Sequence, residues 1–397
     1  MRLITKAIII TTLTFMTKAN AADKWHIGFN EPFVTGYMQS IGYTCFGCPG
    51  NTYTASYNQI SSRLLDLASN QHVGMYREII PVSMLHPAQN EIRHSAAIDL
   101  LALYSDYDLN LVIAFGLPIP QWMISNNNVL QPMPSDDIAW NTLKNHLAKE
   151  MGDFALALWN SPKIRRDWLQ TRVFIEGFNE FDSIQDSSGS NIYSSPTRAA
   201  DLQNGIQWYL NYYDLPIQTL MPSLAGVYSG SGYSSLTPSQ KIGTFMVDYY
   251  AASGSGWPNA HIYTGPNSTE SAGYTEMLNK VRDSINVIWQ MLPSDKKNQL
   301  VIGEVGAADR LEQYCEYTNT QAATLEVSER DHLYRAIAQD TQINAQTNMI
   351  MFWRLMNLPV NQIPGTDRCE AFYGVVHADN SGYKNIGINL FQYLLQP

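Results

Sequence analysis

Two short runs of the chain end in carboxyl groups that could work as a pair. Thr171–Glu180 reads TRVFIEGFNE and closes on Asn179-Glu180, and Gln299–Gly306 reads QLVIGEVG and carries Glu304 near its end. Two carboxyls held in one pocket can divide their labour, one protonated as a general acid and the other ionised as a nucleophile or base. Other chemistries find less support. No GxSxG elbow is present for a serine nucleophile. No GxGxxG or GxxxxGK[ST] loop is present for a phosphate. Gly230-Ser231-Gly232 and Gly254-Ser255-Gly256 sit in polar stretches and read as turns. His86 and His94 lack a metal-ligand partner at useful spacing and are expected on the surface. Neither a metal site nor a cofactor is expected.

The elements that must position the carboxyls follow from hydrophobic patterning. Eight short apolar runs, rich in Val, Ile and Phe, recur without a fixed repeat: Trp25–Asn30, Val73–Ile80, Leu109–Leu117, Arg172–Asn179, Ile217–Leu224, Ala260–Tyr263, Leu300–Val305 and Met349–Leu355. Such runs suit strands buried on both faces of a parallel sheet. Helical spacing marks Ile60–Ser69, Ala139–Leu158, Ala200–Tyr213 and Glu276–Leu292, and Ser328-Glu329-Arg330-Asp331 reads as a capping box opening a helix through Ile343. Strands alternating with helices over residues 22–397 predict a single (β/α)8 barrel, the TIM-barrel architecture, in preference to a doubly wound sheet. Barrel active sites sit at the carboxyl ends of the strands, under the long loops Asp182–Pro196, Tyr228–Pro238 and Ala307–Leu325. The fourth and seventh strands face each other across such a barrel, so Glu180 and Glu304 converge. A carboxyl separation of about 5–5.5 Å would suit a retaining glycosidase.

Six short motifs in the right order extend this reading. They are Gly28-Phe29-Asn30, Gly74-Met75-Tyr76-Arg77, Glu176-Gly177-Phe178-Asn179-Glu180, His261-Ile262-Tyr263, Gly303-Glu304-Val305-Gly306 and Trp353. Together they resemble clan A of the glycoside hydrolases, most of all the family 5 cellulase and mannanase group, over nearly the whole chain. Family 39 and exopolysaccharide hydrolases share part of the pattern. The resemblance implies Glu180 as acid/base and Glu304 as nucleophile. It implies that Asn179 bonds the sugar 2-hydroxyl and that Arg77 lowers the pKa of Glu304. Tyr263 would donate to Glu304, His261 would line the pocket, and Trp353 would floor the sugar subsite. Glu176 reads as a deeper, buried partner. Phe181 stands where family 5 usually has proline, and the third strand lacks the usual histidine. The implied activity is double displacement on a β-linked polysaccharide, endo-acting on a β-glucan, β-mannan or exopolysaccharide. The alternative is a carbohydrate-binding barrel without catalysis.

The rest of the composition fits this class. Charged residues make up only 15% and Lys+Arg 25 stand against Asp+Glu 35, with no basic run, which excludes disorder and a nucleic-acid partner. Aromatics are abundant, with 23 Tyr and 9 Trp, and Trp122, Trp257 and Tyr228 are candidates to stack on further sugars. Residues 1–21 read as a signal peptide cut after Ala21: Arg2 and Lys6, then Ile8–Phe15, then Ala19-Asn20-Ala21. The apolar core is too short for the roughly 20 residues of a membrane span. A secreted or periplasmic monomer is expected. Its loss of Arg2, Lys6 and Lys18 would take the net charge from −10 to −13. In an oxidising compartment the four cysteines favour Cys45–Cys48 and Cys315–Cys369 disulfides.

Overall fold

Each of the eight apolar runs forms a parallel strand. The computed structural model describes residues 26–44, 54–263, 274–306, 332–353 and 385–395. The strands are β1 (Ile27–Asn30), β2 (Met75–Pro81), β3 (Asn110–Gly116), β4 (Val173–Glu176), β5 (Gln218–Leu220), β6 (Asn259–Tyr263), β7 (Val301–Gly306) and β8 (Met349–Trp353). They hydrogen-bond in the order β5-β4-β3-β2-β1-β8-β7-β6. The remaining seam between β5 and β6 is bridged at Leu220–Trp257 and Leu224–Ala260, which closes the ring. A closed ring leaves no unpaired sheet edge. The architecture is a single (β/α)8 barrel with its helices outside.

Two apolar layers hold it together. Met75, Val112, Phe174, Leu220, Val301, Met349 and Met351 fill the interior, with Trp257 packed against them. A much larger layer lies between the strands and the helices, including Ile113, Ile175, Ile302 and Phe352 from the sheet and Leu147, Phe154, Ile206 and Ile285 from helices. The side chains above the interior plug, toward the carboxyl ends of the strands, are polar. Alternation along each strand therefore places apolar residues low in the barrel and the reactive groups at its mouth.

Helix boundaries follow local chemistry. Thr237 caps Pro238–Ala251, its hydroxyl accepting from Gln240 N–H while the Gln240 side chain returns to the Thr237 amide. The helix expected to run unbroken to Ile343 divides into Leu333–Gln339 and Thr341–Gln346. Asp340 between them is extended, and its carboxylate accepts from the amides of Gln342 and Ile343, so a new helix starts there. The Ser328–Asp331 capping box, all four cysteines, the Ala307–Leu325 loop and residues 1–21 lie outside the described residues.

Three expectations are corrected. β4 ends at Glu176, three residues before the sequence run does, although Gly177 and Asn179 still donate to Leu220 and Phe115 of the neighbouring strands. His86 and His94 are buried rather than at the surface. Glu150, on the helix Asp137–Asn160, accepts from His86 Nδ1 at 2.6 Å and from His94 Nε2 at 2.7 Å. Burial alone would raise the Glu150 carboxyl, but the hydrogen bonds and charges of His94 and His86 hold it below its ordinary range. The aromatic candidates for sugar stacking pack against neighbouring rings, Tyr228 buried and Trp122 and Trp257 half-buried. Trp257 packs on Phe174 in the barrel interior. Tyr228 is buried against Tyr233 and Phe245. Trp122 lies between the rings of His86 and His146.

Candidate active site

Arg77, from β2, is fully buried and organises the barrel mouth. Its Nε and Nη2 donate to the two oxygens of Glu176 on β4, at 2.7 and 2.6 Å. Nη1 donates to Glu304 Oε1 at 2.6 Å and to Asn30 Oδ1 at 2.9 Å. Nη2 also donates to Asn179 Oδ1 at 2.8 Å. One rigid guanidinium thus fixes groups carried by β1, β4, the loop after β4, and β7, which a lysine ammonium could not do with the same geometry. Asn30 in turn donates to the Gly303 carbonyl at 2.8 Å.

Glu304 reaches this centre through a bulge. Along β6, His261 pairs with Glu304 while Ala260 pairs with Ile302, so Gly303 is skipped. Along β8 the register shifts at the same place, between Ile302 and Val305. The extra residue rotates Glu304 inward, where strict alternation from Val301 would point it at the helices. Its side chain is 3% exposed. Arg77 donates to one of its oxygens and the Tyr263 hydroxyl donates to the other.

Glu180 arrives differently. Beyond β4, the Asn179 amide donates to Phe115 O at 2.7 Å and the Ser223 amide donates to Phe178 O at 2.9 Å, so the chain stays threaded between its neighbours. Glu180 itself is left-handed, with φ 47° and ψ 52°. A non-glycine residue pays roughly 1–2 kcal/mol for that conformation. It is held there by Ser223 Oγ, which accepts the Glu180 amide at 2.8 Å, and by Ser183 Oγ, which donates to the Glu180 carbonyl at 2.7 Å. Asp182 locks the next loop: its carboxylate accepts from the amides of Ala225, Gly226 and Val227 at 2.7, 2.8 and 3.0 Å.

His261 links the two carboxyls. Its Nδ1 lies 3.0 Å from Glu180 Oε1 and 3.4 Å from Glu304 Oε2. One donor atom from each of Glu180, His261 and Glu304 falls within a 4.8 Å cluster. Among the described residues these are the side chains whose types and spacing could hold a metal ion, but Arg77 and Tyr263 already donate to both Glu304 oxygens. The Glu180 side chain is 28% exposed and Tyr263 is 39% exposed, so the cluster opens outward on their side.

The electrostatics follow from this burial. Burial lifts Glu304 well above the ordinary carboxylate range; Arg77 opposes the rise, and Glu180 and Glu176 add to it. The expected lowering by Arg77 is therefore present but outweighed by burial. Glu180 is raised too, by burial, with Arg77 again opposing. Two carboxyls in one pocket, both raised by burial, favour holding a proton between them. Burial and Arg77 push His261 well below its ordinary range, so its ring is neutral.

The structure brings together Arg77, Asn179, Glu180, His261, Tyr263 and Glu304, with Glu176 beneath them. Trp353, at the end of β8, pairs in register with Asn30 on the same rim. Sequence reasoning passed over Ser223 and Asp182. Ser223 carried a faint signal, since it lies next to the end of the fifth apolar run, Ile217–Leu224. Asp182 carried none.

No protein-family model matches the sequence, and no curated protein matches it. Solved structures match at the level of fold. A glycoside hydrolase family 5, subfamily 18 protein from Bifidobacterium longum subsp. infantis gives a TM-score of 0.63 at 12% identity, covering 93% of this chain and 78% of that one. The catalytic domain of a family 53 protein from Ignisphaera aggregans gives 0.58 at 12% identity, covering 94% and 97%. An exo-β-1,4-mannosidase from Opitutaceae bacterium strain TAV5 gives 0.57 at 14% identity, covering 94% and 60%. At these identities the likeness establishes the (β/α)8 fold.

Proposed function

We propose that the protein is a retaining β-glycoside hydrolase. The observation that carries this reading is the Glu180–Glu304 pair. Its nearest oxygens lie within the 4.8 Å cluster, in line with the roughly 5–5.5 Å carboxyl spacing of retaining enzymes and short of the roughly 6.5–9.5 Å that leaves room for an inverting water.

The donors divide the labour. Glu304 receives two hydrogen bonds, one on each oxygen, and so is the carboxyl whose ionised form is best held. With Glu304 held by these donors against the burial that raises it, the shared proton is placed on Glu180, whose open side can present it to the substrate. In the first step Glu180 gives this proton to the glycosidic oxygen as the bond to the anomeric carbon breaks, and a Glu304 oxygen forms the glycosyl ester. In the second step the Glu180 carboxylate takes a proton from water, the water oxygen bonds to the anomeric carbon, and Glu304 leaves as carboxylate. Asn179 has its oxygen turned to Arg77, which leaves its amide nitrogen to donate to a substrate hydroxyl. Trp353, at the end of β8 in register with Asn30, is the candidate floor of the sugar subsite.

The wider reading is of an exported, monomeric enzyme that cuts within a polysaccharide such as a β-mannan, β-glucan or exopolysaccharide. The amino-terminal pattern up to Ala21 supports export. Among the described residues, no helix is long and apolar enough to cross a membrane. Structural neighbours from Bifidobacterium longum and Streptomyces cattleya were solved with Manβ1-4GlcNAc, which makes β-mannosides the first substrates to try. The test is release of reducing ends by residues 22–397 from a panel of β-mannans, β-glucans, xylans and the host's exopolysaccharide. Release by the wild type and none by Glu304→Ala supports the proposal. Equal release by both overturns it, and tight glycan binding without release would mark a binding barrel.

A further inference from the structure

His261 is neutral, so one of its two ring nitrogens carries the proton, and the surroundings determine which. Nδ1 faces oxygens of Glu180 and Glu304, at 3.0 and 3.4 Å, and a nitrogen beside two carboxyls that share one proton is favoured as N–H. Nε2 is then a lone pair, and it is buried with no hydrogen-bond partner among the described residues.

Two residues back along β6, on the same face, is Asn259, fully buried at the start of the strand, with neither amide atom hydrogen-bonded. A buried amide with both ends unsatisfied is costly. Gly303 shows where the two groups meet. A Cβ on Gly303 would sit 2.4 Å from Asn259 Oδ1 and 3.2 Å from His261 Nε2, so both face the same small space, which only glycine leaves open. A half-turn of the amide exchanges its oxygen and nitrogen without cost to any other bond, since it makes none.

We infer that Asn259 is a positioning residue for His261: its amide donates to the Nε2 side of the ring, directly or through one solvent molecule in the space beside Gly303, and fixes the proton on Nδ1. The bulge that turns Glu304 inward creates that space, because it is built on Gly303. The Nδ1–H then points at Glu180 and Glu304. The neutral ring can follow the proton shared between them while accepting none itself. Its catalytic consequence rests on the acid/base reading above, but the tautomer does not.

The experiment is nitrogen-15 NMR of the imidazole rings in the full chain, with His261 assigned from a His261→Gln sample. The wild type should show a protonated Nδ1 and a bare Nε2. Asn259→Asp puts a carboxylate, an acceptor only, on the Nε2 side, and should move the proton to Nε2 or protonate the ring fully. Asn259→Leu, close in size and without polar atoms, removes the donor and should shift the Nε2 resonance while thermal stability reports the fold. For both variants kcat should fall about 10-fold or more with KM little changed, as misplaced histidine protons cause. A wild-type ring protonated on Nε2, or His261 resonances unchanged in both variants, overturns the inference. Because the spectra need no substrate, that result stands apart from any failure to find a glycan.

Discussion

Val301 and Glu304 are three residues apart on β7, yet both point into the barrel. Val301 belongs to the interior plug and Glu304 to the polar cluster above it. On a regular strand residues three apart face opposite sides. The bulge at Gly303 is what reconciles them, and it gives the pocket a carboxyl where alternation would have buried one against a helix. The following residue, Val305, returns to the outer core.

The division of roles between the carboxyls is open to chemical rescue. Glu180→Ala should lose about 100- to 10,000-fold in rate on substrates with poor leaving groups, and far less where the leaving group needs no protonation. Azide should restore turnover of an activated β-glycoside by Glu180→Ala and yield the β-glycosyl azide. The product configuration, read by NMR, checks this. The same rescue of Glu304→Ala should give the opposite anomer.

Arg77 holds two buried carboxylates at once. Arg77→Met leaves buried Glu176 and Glu304 without their cation, and should cost about 3–5 kcal/mol in urea denaturation. Arg77→Lys keeps the charge but cannot make the parallel pair to Glu176 while also reaching Glu304 and Asn179. It should fold and lose most activity.

Asp182 ties the strand-four loop to the strand-five loop. Asp182→Asn presents an NH2 group to backbone N–H donors that now meet carboxylate oxygen, and should cost about 1–3 kcal/mol. Because Glu180 precedes this lock by two residues, kcat should fall more than KM rises. Steady-state kinetics beside thermal melts would show both effects.

Stability should decline toward alkaline pH. Burial raises Glu78 from 4.5 to about 8, and Asp182 from 3.8 to about 6. Groups raised on folding hold protons that the unfolded chain has released, so their contribution is full below the unfolded values and is lost as pH rises through the folded ones. Glu78, between the Tyr104 hydroxyl and the Val34 amide, accounts for the upper part of that window. Melting profiles of wild type and Glu78→Gln should diverge between pH 4.5 and 8, with the variant flatter.

The sequence made the strands legible because each is buried on both faces and reads as an unbroken apolar run. Glu180 and Glu304 were legible for a related reason: a carboxyl ending such a run has few places to go in a barrel. Their paths were not. Glu180 depends on a left-handed turn with no glycine or asparagine at that position to announce it, and Glu304 on a bulge that adds a residue without breaking the run. Asn259 gave no sign, since its meaning lies in what Gly303 leaves beside it. His86, His94 and Glu150 looked unrelated because 56 to 64 positions separate the histidines from the glutamate that joins them. Trp257 looked like a rim residue but precedes β6, which puts it at the opposite end of the barrel from the pocket.

The stereochemistry of the first product tests the paired-carboxylate account most directly. With a β-linked substrate that the protein cleaves, proton NMR of the anomeric signals in the first minutes should show the β anomer forming before it equilibrates. First appearance of the α anomer would mean single displacement by water, and would contradict a covalent role for Glu304.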